Sequence, residues 1–221
     1  MITFDEQQRV FHLKNKEISY LFSVEEGNIL SHLYFGPAIR NYHGERRYPR
    51  VDRGFSGNLP GSMDRTYSKD DLLQEYSGNN TGDYRVPAII IKTENGSRLT
   101  DFRYKSYKIL PGKPKLAGLP ASYVKSDKEA ETLEVTLVDE TIGAQLILSY
   151  TIYNERPVIT RNARLVNTSN QELRIEKIAS VQLDLTKHDY DVISVPGQYA
   201  LERQPERQEL RRGITEFSSR R

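Results

Sequence analysis

TLEVTLVDETIGAQLILSYTIYNERPVITRNARLVN, residues 132–167, is the stretch that decides the fold. Leu133, Val135 and Leu137 alternate with Glu134 and Thr136. Ala144, Leu146, Leu148, Tyr150 and Ile152 alternate with Gln145, Ser149 and Thr151. Ile159, Ala163 and Leu165 share one parity, while Thr160, Asn162 and Arg164 hold the other. Successive side chains of a strand point to opposite faces, so this pattern predicts half-buried antiparallel strands. Turn-forming residues fall between them: Asp139-Glu140, Asn154-Glu155-Arg156-Pro157 and Asn167-Thr168-Ser169-Asn170. Together they predict a meander from Thr132 to Leu185.

The same period runs toward the N-terminus. Ile18, Tyr20, Phe22 and Val24 alternate, and Glu26-Gly27-Asn28 turns the chain into a strand from Ile29 to Phe35. Asn95-Gly96, after Ala88 to Ile91, reads as a hairpin turn because both residues tolerate positive φ. Phe102, Tyr104 and Ser106 follow as the next alternating run. Apolar stripes at helical spacing are missing, and only Ser68 to Tyr76 reads as a helical turn or two, with Ser68 as N-cap. Strands at this spacing predict an all-β chain built as one large sandwich.

Residues 36–86 break the alternation. Seven of the 14 glycines lie there, with Pro37, Pro49 and Pro60. Arg40, Arg46, Arg47, Arg50, Arg53, Arg65 and Arg85 are interleaved with Asp52, Asp64, Asp70, Asp71 and Asp83. Irregular stretches this long inside a domain are uncommon and are mostly functional or disordered. Tyr42, Tyr48, Phe55, Tyr67, Tyr76 and Tyr84 argue for order, so an ordered, projecting loop that carries recognition chemistry is expected. A surface excursion packed on its own sandwich is the competing reading.

Composition narrows the chemistry. Lys+Arg is 32 and Asp+Glu is 30 in 221 residues, which gives none of the concentrated basic excess of an electrostatic nucleic-acid binder. Cys is 0, which excludes disulfides, thiol catalysis and thiolate metal sites. The opening MITFDEQQRV has no signal-peptide layout, and no apolar run is long enough for a membrane span. A soluble, cytoplasmic protein without membrane or nucleic-acid partners is expected. His12, His32, His43 and His188 form no i,i+2 or i,i+4 pair, and no GxSxG, GxxxxGK[ST] or GxGxxG occurs. No metal or cofactor is expected. What remains is recognition. Tyr and Phe beside Arg, Asp and Asn suit sugars, whose C–H faces stack on rings and whose hydroxyls need paired donors and acceptors. The same residues also build protein interfaces.

From about residue 50 onward an ordered set of motifs carries a resemblance. They are LLQEY at 72–76, GDYRVPAI at 82–89, DFRYKSYKI at 101–109, GKPKLAGLPASY at 112–123, TLEVTLVD at 132–139, LSYTIY at 148–153, ITRNARLVN at 159–167 and ASVQLDL at 179–185. GQYALERQPERQEL at 197–210 and the closing FSSRR extend it. The set resembles the N-terminal domain of bacterial glycoside hydrolase family 36 α-galactosidases. KDDLLQEY departs from that family's DTLPQEY in one short turn.

The resemblance implies an antiparallel β-supersandwich of the galactose-mutarotase-like kind over residues 1–221, with the loop at 36–86. It implies that the chain is incomplete and lacks the barrel bearing the two catalytic aspartates of a retaining mechanism. This chain alone is then expected to be inactive, while the parent enzyme hydrolyses terminal α-D-galactosyl residues of melibiose or raffinose-type oligosaccharides. It further implies a homotetramer, in which the loop helps to shape a neighbouring subunit's substrate pocket. By position, Asp52, Arg65 and then Arg53 are carried over as substrate-binding residues, through hydrogen bonds to sugar hydroxyls or by holding the pocket wall. An Asp–Arg pair that only shapes the loop is the competing reading of these residues. A stand-alone carbohydrate-binding sandwich and a purely structural oligomerisation domain are the alternatives for the whole chain.

Overall fold

The computed structural model describes residues 1–44, 48, 50–52, 57–59, 61–79, 82–118, 121–185 and 189–218. They form strands β1 (Ile2–Asp5), β2 (Val10–Lys14), β3 (Ile18–Val24), β4 (Leu30–Pro37), β5 (Ile89–Thr93), β6 (Arg103–Pro111), β7 (Ala130–Asp139), β8 (Ala144–Tyr153), β9 (Ile159–Asn167), β10 (Leu173–Ile178), β11 (Asp191–Ser194) and β12 (Glu206–Glu209). The helical segments among the described residues are short 3-10 turns; one of them, Lys69–Asp71, is capped by Ser68 as its sequence predicts, but the turn stops there and residues 73–75 run extended beside β4. The chain is thus all-β.

Residues 1–184 form one compact unit and 185–221 a second. In the first, β1-β2-β3-β4 and β6-β7-β8-β9 make two antiparallel four-stranded sheets. Their apolar parities meet in one core. Phe11, Leu13 and Phe22 from the first sheet are fully buried with Leu133, Val135, Leu146 and Tyr150 from the second. Phe11 stacks on Phe22 at 4.9 Å, and Phe22 on Tyr150 at 4.9 Å, so the rings bridge the layers. In the second unit, β11 and β12 form an antiparallel pair.

Two connections differ from the sequence reading. The meander ends at Asn167, and β10 pairs with β5 through Ile175↔Ile91 and Ile178↔Ile89. Thr168 donates its N–H to Gly143 O at 2.8 Å, which folds the turn back and takes the chain off the sheet. Likewise Asn95-Gly96 turns the chain, with Gly96 at φ 85°, but β6 goes on to pair with β7 and leaves β5 to β10. Ile89 and Ile91 are fully buried, so β5 needs a strand partner inside the sandwich.

Candidate functional site

Glycine and proline density keeps the chain between β4 and β5 out of regular ladders. Order comes instead from side chains packed in layers. Tyr67 and Leu72 are buried with Ile29 and Leu59, and Tyr48 packs against them. Tyr67 donates to Glu26 O at 3.0 Å, and Tyr48 donates to Glu25 Oε2 at 2.9 Å. Both rings are thereby tied to the turn between β3 and β4.

Arg50 lies on this aromatic platform, 4.5 Å from the Tyr67 ring centre and 5.6 Å from that of Tyr48. Its guanidinium reaches Asp64 Oδ2 at 3.1 Å and Glu26 Oε2 at 3.3 Å. Asp64 accepts from the Thr66 hydroxyl at 2.6 Å and the Thr66 N–H at 2.8 Å, and these bonds hold its carboxyl below the usual range. Two positions beyond Arg50 and one beyond Asp64, Asp52 Oδ1 and Arg65 Nε approach to 3.1 Å. Their side chains are 59 % and 55 % exposed. The structure therefore brings two of the three sequence-predicted site residues together at the surface, as an ion pair beside the Arg50–Asp64 pair. Arg53, the third, lies outside the described residues, as does His188.

Below this arm, residues 73–75 run beside β4, with His32 N–H donating to Leu73 O and Glu75 N–H to Leu30 O. That pairing carries Glu75 into the sandwich, where it is fully buried. Its carboxylate accepts from Tyr20 at 2.7 Å and Tyr150 at 2.9 Å, lies 2.9 Å from His32 Nδ1, and pairs with Arg161 at 3.1 Å. Burial opposes the charge, but Arg161 and the His32 bond outweigh it and hold the carboxyl below its ordinary value.

A second network closes the end of the region. Arg85 pairs with Asp83 at 2.7 Å and with Asp184, and donates to Lys69 O at 2.9 Å. Lys69, almost wholly buried, pairs with Asp101 at 2.8 Å, and Arg103 joins Asp101 at 2.9 Å. Gly82, at φ 75°, lies against Gly57; a Cβ there would stand 3.1 Å from Gly57 O, so the close approach needs glycine at this turn.

Sequence reading missed Arg50, Asp64, Glu75 and Arg161 as organising residues. Arg161 carried a usable signal: it shares the apolar parity of Ile159, Ala163 and Leu165, and a charge on an inward parity calls for a buried partner. Glu75 carried no such signal, because its partners come from β3, β4, β8 and β9. Among the described residues, no group of His, Asp and Glu is placed to hold a metal ion, and no helix is long and apolar enough to cross a membrane.

Residues 28–221 match the family model described as glycosyl hydrolase family 36 N-terminal domain. Alpha-galactosidase 1 of Pediococcus pentosaceus is 50 % identical over 99 % of this chain. The crystal structure of the GH36 alpha-galactosidase AgaB from Geobacillus stearothermophilus superposes with a TM-score of 0.90 at 42 % identity, covering 96 % of this chain and 29 % of that one. Structures of AgaA variants from the same organism, in complex with raffinose and with stachyose, superpose at 0.88 with 45 % identity over 92 % of this chain and 28 % of theirs. The chain spans about 30 % of the length of the curated relatives it matches.

Proposed function

This chain belongs to the glycosyl hydrolase family 36 N-terminal domains, and on that footing we propose that it works as the non-catalytic β-sandwich of an α-galactosidase. The parent enzyme hydrolyses terminal α-D-galactosyl residues of oligosaccharides such as melibiose and raffinose, acts in the cytoplasm and assembles as a homotetramer. The domain supports that assembly, and its 36–86 region helps to shape a neighbouring subunit's substrate pocket. The observation that carries this reading is the Asp52–Arg65 pair, exposed at 3.1 Å on an arm fixed from below by Arg50, Asp64 and Tyr67. A carboxylate and a guanidinium held together at the surface offer donors and acceptors to sugar hydroxyls. A pair whose only task is to brace the loop duplicates what Arg50 and Asp64 already do.

The test uses the full-length enzyme with Asp52→Ala and Arg65→Ala. Each is expected to raise KM for raffinose by about 3- to 10-fold, as loss of one or two hydrogen bonds does, with a smaller change in kcat. Unchanged KM in both variants overturns the pocket role and leaves the pair structural.

A further inference from the structure

The face of the β6-β7-β8-β9 sheet that points away from the core is polar in successive register rows. One row holds Thr132, Thr151 and Thr160; the next holds Glu134, Ser149 and Asn162. Over these rows Pro114, Leu116 and Ser122, which follow β6 in the chain, wall a groove of about 220 Å³. A second hollow of about 330 Å³ adjoins it at Ser122 and is lined by Tyr123 and Tyr153.

The groove is fixed on two sides. Thr132 donates to Gly112 O at 2.8 Å and lies 2.8 Å from the Thr151 hydroxyl, which ties the chain after β6 to the floor. Tyr153 donates to Ser122 Oγ at 2.9 Å, which ties down the wall. In contrast, the side chains of Ser149, Thr160 and Asn162 make no hydrogen bond to any described residue, although all three line the groove. Their capacity is both donating and accepting. Inside the groove charge is mostly cancelled: Glu134 pairs with Lys108 at 2.8 Å, and Arg161 is committed to Glu75, leaving Lys113 at its rim, while the adjoining hollow adds Lys125, Arg156 and Glu129. In the adjoining hollow Tyr123 is 77 % exposed.

Unspent hydroxyl and amide groups, cancelled charge and a bare aromatic ring together describe a ligand that is neutral, rich in hydroxyls and flat on one C–H face. We propose that this groove is a binding site for a neutral oligosaccharide, separate from the Asp52–Arg65 arm and independent of the role given to that arm. Hydroxyls of the sugar bond to Ser149, Thr160 and Asn162, and a ring stacks on Tyr123.

The test is an amide-resonance titration of the 221-residue chain with raffinose, and with digalacturonate as a charged counterpart. Raffinose is expected to shift the resonances of Ser149, Thr160 and Asn162 saturably, with a roughly millimolar dissociation constant. Digalacturonate is expected to bind more weakly. Asn162→Ala and Tyr123→Ala each weaken raffinose binding by about tenfold while the dispersion of the remaining resonances is kept. Both residues lie outside the core, so loss of fold does not confuse the result. No saturable shift with raffinose, tighter binding of digalacturonate, or wild-type affinity in both variants overturns the proposal.

Discussion

Glu75 shows what a single buried charge demands of its surroundings. Replacing it with Ala leaves the Arg161 guanidinium enclosed without a counter-charge, and a loss of about 3–5 kcal/mol in urea unfolding is expected. Glu75→Gln keeps the shape and part of the bonding, so its loss is smaller. The folded carboxyl titrates below its ordinary value of 4.5. Its stabilisation is therefore complete above that value and is lost as pH falls through the lower folded value. Acid unfolding followed by circular dichroism is expected to show this limb, and Glu75→Gln to flatten it. His12 contributes with the opposite origin. Burial, helped by Lys14 and the N-terminal amine, lowers its pKa from 6.5 to about 4. The folded form stays neutral while the unfolded chain takes up a proton. Stability thus declines as pH drops from about 6.5 toward 4, and His12→Gln removes that slope in a urea series. At this scale the sequence was partly legible. Asp52 and Arg65 are paired, but in sequence Arg50 is one arginine among many, and only the Tyr48 and Tyr67 rings beneath it set it apart. Side-chain partners from distant segments leave no local trace.

For single elements, period two was the more dependable guide. β7 and the first half of β8 follow the alternation of residues 132–167 because each buries one face there and leaves the other half-buried, whereas β9 is half-buried along most of its length. The pairing of β5 escaped the same logic, since alternation says which face is inside but not which strand lies alongside. Asn95-Gly96 supplied a correct turn and a wrong partner. Gly96 holds φ 85° with open space around its missing Cβ. Gly96→Ala is therefore expected to cost about 1–2 kcal/mol through backbone strain alone, with no clash. Thermal unfolding monitored at 222 nm checks it. A neutral result would mean that the turn relaxes to another type.

Across residues 1–184, two sheets share one apolar interior. Leu146 is fully buried in that interior; Leu146→Ala is expected to lose about 2–5 kcal/mol, read from the denaturant midpoint at constant slope. The purified chain is expected to show no turnover of p-nitrophenyl-α-galactoside, because the proposed chemistry belongs to the part of the enzyme that this chain does not span. Sustained release of nitrophenol by the homogeneous polypeptide would overturn that assignment. The Glu75 cluster draws Tyr20 and His32 from one sheet and Tyr150 and Arg161 from the other onto a single carboxylate. Such an arrangement constrains descent as well as folding. A lineage that exchanges one member strands the rest, so drift at these positions is blocked unless several codons change together, and the cluster is expected to persist where its neighbours diverge.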